Sequence, residues 1–383
     1  MSTGTSERIH SMDALRASTM FLLVPVHAAG LLALNGYDGA WATALYWLVH
    51  VFRLPLFFAM SGFFLAFLLG RRGVLRTIRN RSLRILVPLV LALITLVPLT
   101  VFVARATGIV LAPGRDAPSG MPLSLEPSFL WFLWYLLIVD SVAVAVYIVN
   151  PVLVRAVGER LRRLVVFSPA GVVLLAVPTA LALWSAPTWT AEPSSSFVPV
   201  PSVLAYYALF FVFGAVLSAH RGLIANASRN AWRWTACALA ATLPAAILFA
   251  QHIAADRSSG AGLHAAGLLI YAIATWSSLL GLIGLADRYL NRPWPALRYL
   301  ADASYWIYLS HMPAVVLLVA LFGTTALGAA PQFALVAGGA LAFSLLTYPL
   351  FVRHTLVGRL LNGRRQRRHQ KVRTEPVLRG VAG

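Results

Sequence analysis

Apolar residues fall along this chain in long blocks, not in the short alternations of a soluble domain. The blocks cover roughly 14–34, 43–69, 83–103, 129–149, 165–186, 200–219, 232–252, 264–286, 298–322 and 332–352. Each is near the ~20 residues a helix needs to cross a bilayer, and backbone groups in lipid must be satisfied within the segment, which a helix does. The pattern therefore predicts an all-α integral membrane protein, a bundle of about ten transmembrane helices. The first block carries Pro25 and His27 and more blocks follow it, so it reads as a retained anchor and not as a cleaved signal peptide. One transmembrane domain is expected over 1–355, followed over 356–383 by a basic tail too charged to fold alone.

Composition sharpens this picture. Of 383 residues, 59% are hydrophobic and only 11% charged, beyond what the core of a soluble protein needs. The formal net charge of +19 would suit nucleic acid, but its distribution excludes that partner. Arg71, Arg72, Arg76, Arg79, Arg81 and Arg84 follow the second block; Arg155, Arg160, Arg162 and Arg163 follow the fourth; Arg221, Arg229 and Arg233 follow the sixth; Arg288, Arg292 and Arg298 follow the eighth. The intervening loops hold little beyond Arg105, Arg115 and Arg257. Positive charge on alternate loops marks the inner side and places both termini in the cytoplasm. The tail GRRQRRHQKVR is either topogenic or a site for anionic membrane lipids. Cys237 is the only cysteine, so no intramolecular disulfide forms and no metal centre built on thiolates is expected.

Ionisable residues inside spans are costly and mark working sites. Arg16 and His27 lie eleven residues apart, about 20° apart on one face of the first helix and roughly 16 Å apart along it, which predicts a polar track across the bilayer. In HVFRLPLFFAMSGFF, offsets of three, four and four put His50, Arg53, Phe57 and Ser61 on a second stripe. Pro55 should loosen this helix, and Ser61-Gly62 permits close helix approach. In SYWIYLSH, Ser304, Tyr308 and His311 share a face, with His311 at the depth of His27, so the two imidazoles should meet in one cavity. The bland alternative for each stripe is helix packing or snorkelling. Trp131, Trp134 and Tyr135 sit where an interface belt or a sugar platform would be, and Asp140 near mid-bilayer needs a partner, such as a histidine whose tautomer it would fix. Arg81 and Arg84 share a face at i, i+3, suited either to topology or to a phosphorylated donor.

These blocks resemble the membrane acyltransferase-3 family. Arg16 and His27 fit its R-x10-H signature, Arg81 and Arg84 its R-x-x-R, and HVFRLPLFF with LWFLWYLL is similar to the branch containing the glucan biosynthesis protein C succinyltransferases. The resemblance implies a multi-pass enzyme of a bacterial-type inner (plasma) membrane. Such an enzyme takes an acyl group from cytoplasmic acyl-CoA, a co-substrate and not a bound cofactor, and delivers it to a hydroxyl of an extracytoplasmic carbohydrate. It implies His27 and Arg16 as the essential pair, and Arg81 and Arg84 as donor-binding. One departure from the family is that Leu136 stands five residues after Trp131, where many members carry Glu, leaving Asp140 as a speculative substitute. On this reading His27 is the general base, His311, Tyr308 and Ser304 position the acceptor or donate to the oxyanion, and His50, Arg53, Ser61, Trp131 and Tyr135 line the acceptor cavity. The competing class is a transporter or flippase of an anionic or lipid-linked sugar, its histidines relaying protons.

Overall fold

The computed structural model describes residues 10–36, 40–111, 126–164, 169–186, 189–194, 196–255, 260–323, 325 and 327–362. Arg115, Arg257 and the tail beyond Asn362 lie outside the described residues. The helices are α1 (His10–Leu34), α2 (Ala40–His50), α3 (Arg53–Arg72), α4 (Val74–Arg81), α5 (Val87–Thr107), α6 (Trp131–Val149), α7 (Pro151–Leu164) and α8 (Pro169–Ala182). They continue as α9 (Pro201–Ala219), α10 (Gly222–Arg229), α11 (Ala231–Ala254), α12 (Ala261–Leu290), α13 (Pro295–Phe322), α14 (Ala329–Tyr348) and α15 (Leu356–Asn362). Among the described residues there is no strand, and nine helical stretches are long and apolar enough to cross a membrane.

The expected block at 165–186 is described from Pro169 on, since 165–168 lie outside the described residues, and its helix α8 is a shorter apolar helix beside the nine. Pro178 lies inside it, and turns end it at Leu183. The second block is not one helix: the chain breaks at Val51–Phe52 between α2 and α3. This places Pro55 in the first turn of α3, where its missing N–H breaks no helical bond. At the other end, α15 takes in the first residues of the expected tail, and its Leu361 is buried.

Two packing pairs position the site. α1 lies chiefly against α13, with α2, α12 and α14 around it. α3 lies against α9, where the backbones approach so closely that a Cβ on Gly62 would run into the Phe211 carbonyl and one on Gly214 into the Ala59 carbonyl. This reciprocal glycine contact is the small-residue packing of membrane helices, and it makes α3 a rigid carrier for whatever its first turn presents.

Candidate active site

α1 and α13 bring their histidines together. The rings of His27 and His311 face each other edge to face, centroids 4.9 Å apart. His27 Nδ1–H donates to the Leu23 carbonyl at 2.9 Å, and His311 Nδ1–H donates to the Tyr308 carbonyl at 2.7 Å. A carbonyl only accepts, so both rings carry their proton on Nδ1 and present a lone pair at Nε2. His311 Nε2 is buried with no hydrogen-bond partner. Neutral His311 therefore accepts at Nε2, which fits the first of its two expected roles, positioning an acceptor hydroxyl, and not the second, donating to the oxyanion.

Both rings border a narrow cavity of about 20 Å³, room for about one water molecule. Arg53, Phe57, Phe129, Trp131, Phe132 and Tyr308 also line it, with Met20, Leu23 and Leu54. Arg53 is 2% exposed; its Nη2 lies 3.5 Å from His50 Nε2, while Nε and Nη1 have no partner. His50 is held by its own Nδ1–H on the Tyr46 carbonyl at 2.7 Å and by stacking on the Tyr46 ring. It stands behind Arg53 and not in the cavity wall. Tyr308 turns its hydroxyl to the Phe129 carbonyl at 3.4 Å. Trp131 enters from the start of α6 and stacks on Tyr207. The turn before it carries Ser128 at φ 44°, a left-handed conformation uncommon for serine.

Other expected members lie elsewhere. The Tyr135 hydroxyl accepts from the amides of Val200 (2.8 Å) and Ser194 (3.4 Å), anchoring the segment before α9. Ser304 donates to the Ala301 carbonyl at 2.8 Å, the same oxygen that Arg16 Nη2 reaches at 2.9 Å. Ser304 thus belongs to the Arg16 end. Ser61 gives its carbonyl to Arg81 Nη2 at 2.7 Å. On the expected polar track, Met20 and Leu23, at i+4 and i+7 from Arg16, line the histidine cavity, whose walls do not include Arg16.

At the basic end, Arg81 Nε pairs with Asp140 Oδ2 at 3.4 Å, both groups largely buried. Asp140 thus answers a guanidinium and not a histidine. A π turn over Ser82–Leu86 starts between Arg81 and Arg84, so the regular i, i+3 spacing expected of them does not hold there. The Arg84 carbonyl accepts the Tyr305 hydroxyl of α13 at 2.6 Å. Arg16, Arg72 and Arg81 all act on the Arg84 charge, so a patch of guanidinium groups gathers there, with Asp13 3.4 Å from Arg16. Nothing in the sequence marked the π turn, Tyr305, or the aromatic walls Phe129 and Phe132. Their only trace was proximity to residues already singled out.

The chain matches the profile described as an acyltransferase domain over residues 9–349. Among curated relatives it is similar to glucans biosynthesis protein C of Salmonella gallinarum, 25% identical over 338 residues, covering 82% of this chain and 84% of the relative. The proteins of that name from Salmonella heidelberg and Salmonella agona are 26% identical over 341 residues, with the same coverage. No solved structure matches the chain significantly. With its apolar helices and this match over most of its length, the chain belongs to the acyltransferase-3 family and is a multi-pass membrane acyltransferase.

Proposed function

We propose that the protein moves an acyl group from acyl-CoA, held at the basic end of the bundle, to a hydroxyl of a carbohydrate acceptor at the opposite end. The observation that carries this is the pair of imidazoles on α1 and α13, their rings 4.9 Å apart and both presenting Nε2 lone pairs. His27 Nε2 takes the proton of the acceptor hydroxyl as its oxygen bonds to the thioester carbonyl carbon. The tetrahedral adduct then collapses, the carbon–sulfur bond breaks, and the leaving thiolate recovers the proton from the imidazolium. A neutral imidazole suits both proton transfers, and no resident cofactor or metal is required.

The charged nucleotide of the donor stays at Arg16 and Arg84, whose guanidinium groups suit phosphate. The thin pantetheine arm passes along Met20 and Leu23 to the histidines, a path too apolar and narrow for a glycan. The acceptor is met at the end bearing Trp131 and Arg53. On the positive-inside argument the basic end and both termini are cytoplasmic, in a bacterial inner membrane, and anionic lipids surround the basic loops.

Sealed vesicles of known orientation test this route. Labelled acyl-CoA supplied on the side bearing the C-terminal tail should label an oligosaccharide acceptor held on the other side. Product formed only when both substrates share one side would refute it.

A further inference from the structure

We propose that Arg53 is a catalytic residue, holding the thioester carbonyl oxygen and the negative charge that develops on it during acyl transfer. The inference rests on the reaction proposed above and assigns the donor that reaction lacks. Acyl transfer needs hydrogen-bond donors aimed at the oxyanion. Neither cavity histidine supplies one while neutral, since each spends its ring proton on a carbonyl of its own helix. Tyr308 turns its hydroxyl toward the Phe129 carbonyl, at 3.4 Å.

Arg53 lines the same cavity, 2% exposed, with Nε and Nη1 unpartnered and Nη2 only loosely engaged by His50. A buried guanidinium without a counter-charge is expensive, and the cavity wall contains no carboxylate. The guanidinium faces a space the size of one oxygen-bearing group, beside the Nε2 atoms that would take the acceptor's proton. The neutral thioester leaves that charge uncompensated and the tetrahedral adduct compensates it. The interaction is therefore stronger in the transition state than in the ground state, which is the condition for raising kcat.

The full chain in sealed vesicles, with acetyl-CoA as probe donor, tests the assignment through Arg53→Met, Arg53→Gln and Arg53→Lys. Arg53→Met should lower kcat by roughly 10²–10³, the loss seen when an oxyanion donor is removed, with the acetyl-CoA KM changed by less than about twofold. Binding of S-ethyl-CoA, a thioether without the carbonyl, should be unaltered, which also reports intact folding. Arg53→Lys should recover part of kcat and Arg53→Gln little. This last pair carries the test if the Met variant fails to insert.

Retention of more than about a tenth of wild-type kcat in Arg53→Met would overturn the assignment. So would a raised KM at unchanged kcat, weakened S-ethyl-CoA binding, or a Lys variant no better than Gln. A loss confined to donors whose acyl chain ends in a carboxylate would overturn it too, by making Arg53 a ground-state partner of that group. Wild-type protein that turns over no acyl-CoA would instead sink the transferase route itself, a separate and recognisable result.

Discussion

Among the described residues two pairs of histidines lie close together, and they are built differently. His27 and His311 meet at 4.9 Å across a cavity that also exposes an unpartnered guanidinium. His252 and His264 lie at 5.3 Å near the ends of α11 and α12 that face each other, packed around Trp189. There His264 is fully used: Nδ1 accepts from Trp189 Nε1 at 3.0 Å, and Nε2–H donates to the Trp184 carbonyl at 3.0 Å. Trp189 stacks on His252, is fully buried, and sits at φ 53°, a strained backbone tolerated only where packing fixes it. Proximity of imidazoles is thus no mark of a site. What separates the two clusters is whether a buried polar atom is left open toward a space that substrate can fill.

Breaking that contrast has its largest effect at His27. His27→Ala should lower kcat by about 10²–10⁴, the usual contribution of a general base. His264→Ala should leave kcat per folded molecule unchanged while lowering the unfolding midpoint in detergent. Turnover assays beside thermal unfolding separate the two, and equal kcat losses at both positions would erase the distinction.

The next effect is on stability, at the buried ion pair. Arg81→Met strands the Asp140 carboxylate in the bundle and should cost about 3–5 kcal/mol, whereas combining it with Asp140→Leu should restore most of that loss. Chemical denaturation of the two variants reads the difference. A double variant no more stable than the single one would mean that Arg81 acts through other contacts.

Smaller again is the effect in the second cluster. A Cβ at Gly267 would run into the Trp189 ring, so Gly267→Ala should cost about 1–3 kcal/mol as overpacking does, with kcat of the folded fraction retained. Measured kcat falling in step with that of His27→Ala would show that the two clusters are coupled.

How much of this was legible beforehand follows from what each feature depends on. The spans were, because lipid demands long apolar helices; so was the facing of His27 and His311, because helical period and equal depth suffice to bring two rings together. The failures lie where a turn departs from the α-helix or where a side chain's direction depends on its neighbours. Arg81 and Arg84 share a face only if the helix stays regular, and the π turn at Ser82–Leu86 breaks that premise. Asp140 was read against the histidines because its depth was visible and its direction was not. Tyr135 and Ser304 lie on the expected helices but turn toward the loop before α9 and the Ala301 carbonyl, and only their neighbours decide that. Pro178 and the short helix α8 make the fifth block less regular than the others, which its apolar run alone did not show.

The finest test compares the two arginines of the basic end. Arg81 is engaged by Asp140 and the Ser61 carbonyl, whereas Arg84 lies within the π turn, with Arg16, Arg72 and Arg81 all acting on its charge. If Arg84 meets the donor's phosphates, Arg84→Ala should raise the acyl-CoA KM about tenfold with kcat little changed, the mark of lost ground-state binding. Lysine should rescue only in part, because it lacks the bidentate fork. The turn that presents Arg84 is held from α13: the Tyr305 hydroxyl caps the Arg84 carbonyl at 2.6 Å. Tyr305→Phe removes one neutral hydrogen bond, worth about 0.5–1.5 kcal/mol, and leaves the guanidinium in place. Its expected signature is therefore the same as that of Arg84→Ala but weaker, about a threefold rise in donor KM at constant kcat. A Tyr305→Phe variant that lowers kcat instead would tie the π turn to the histidines, through α13, and not to the donor.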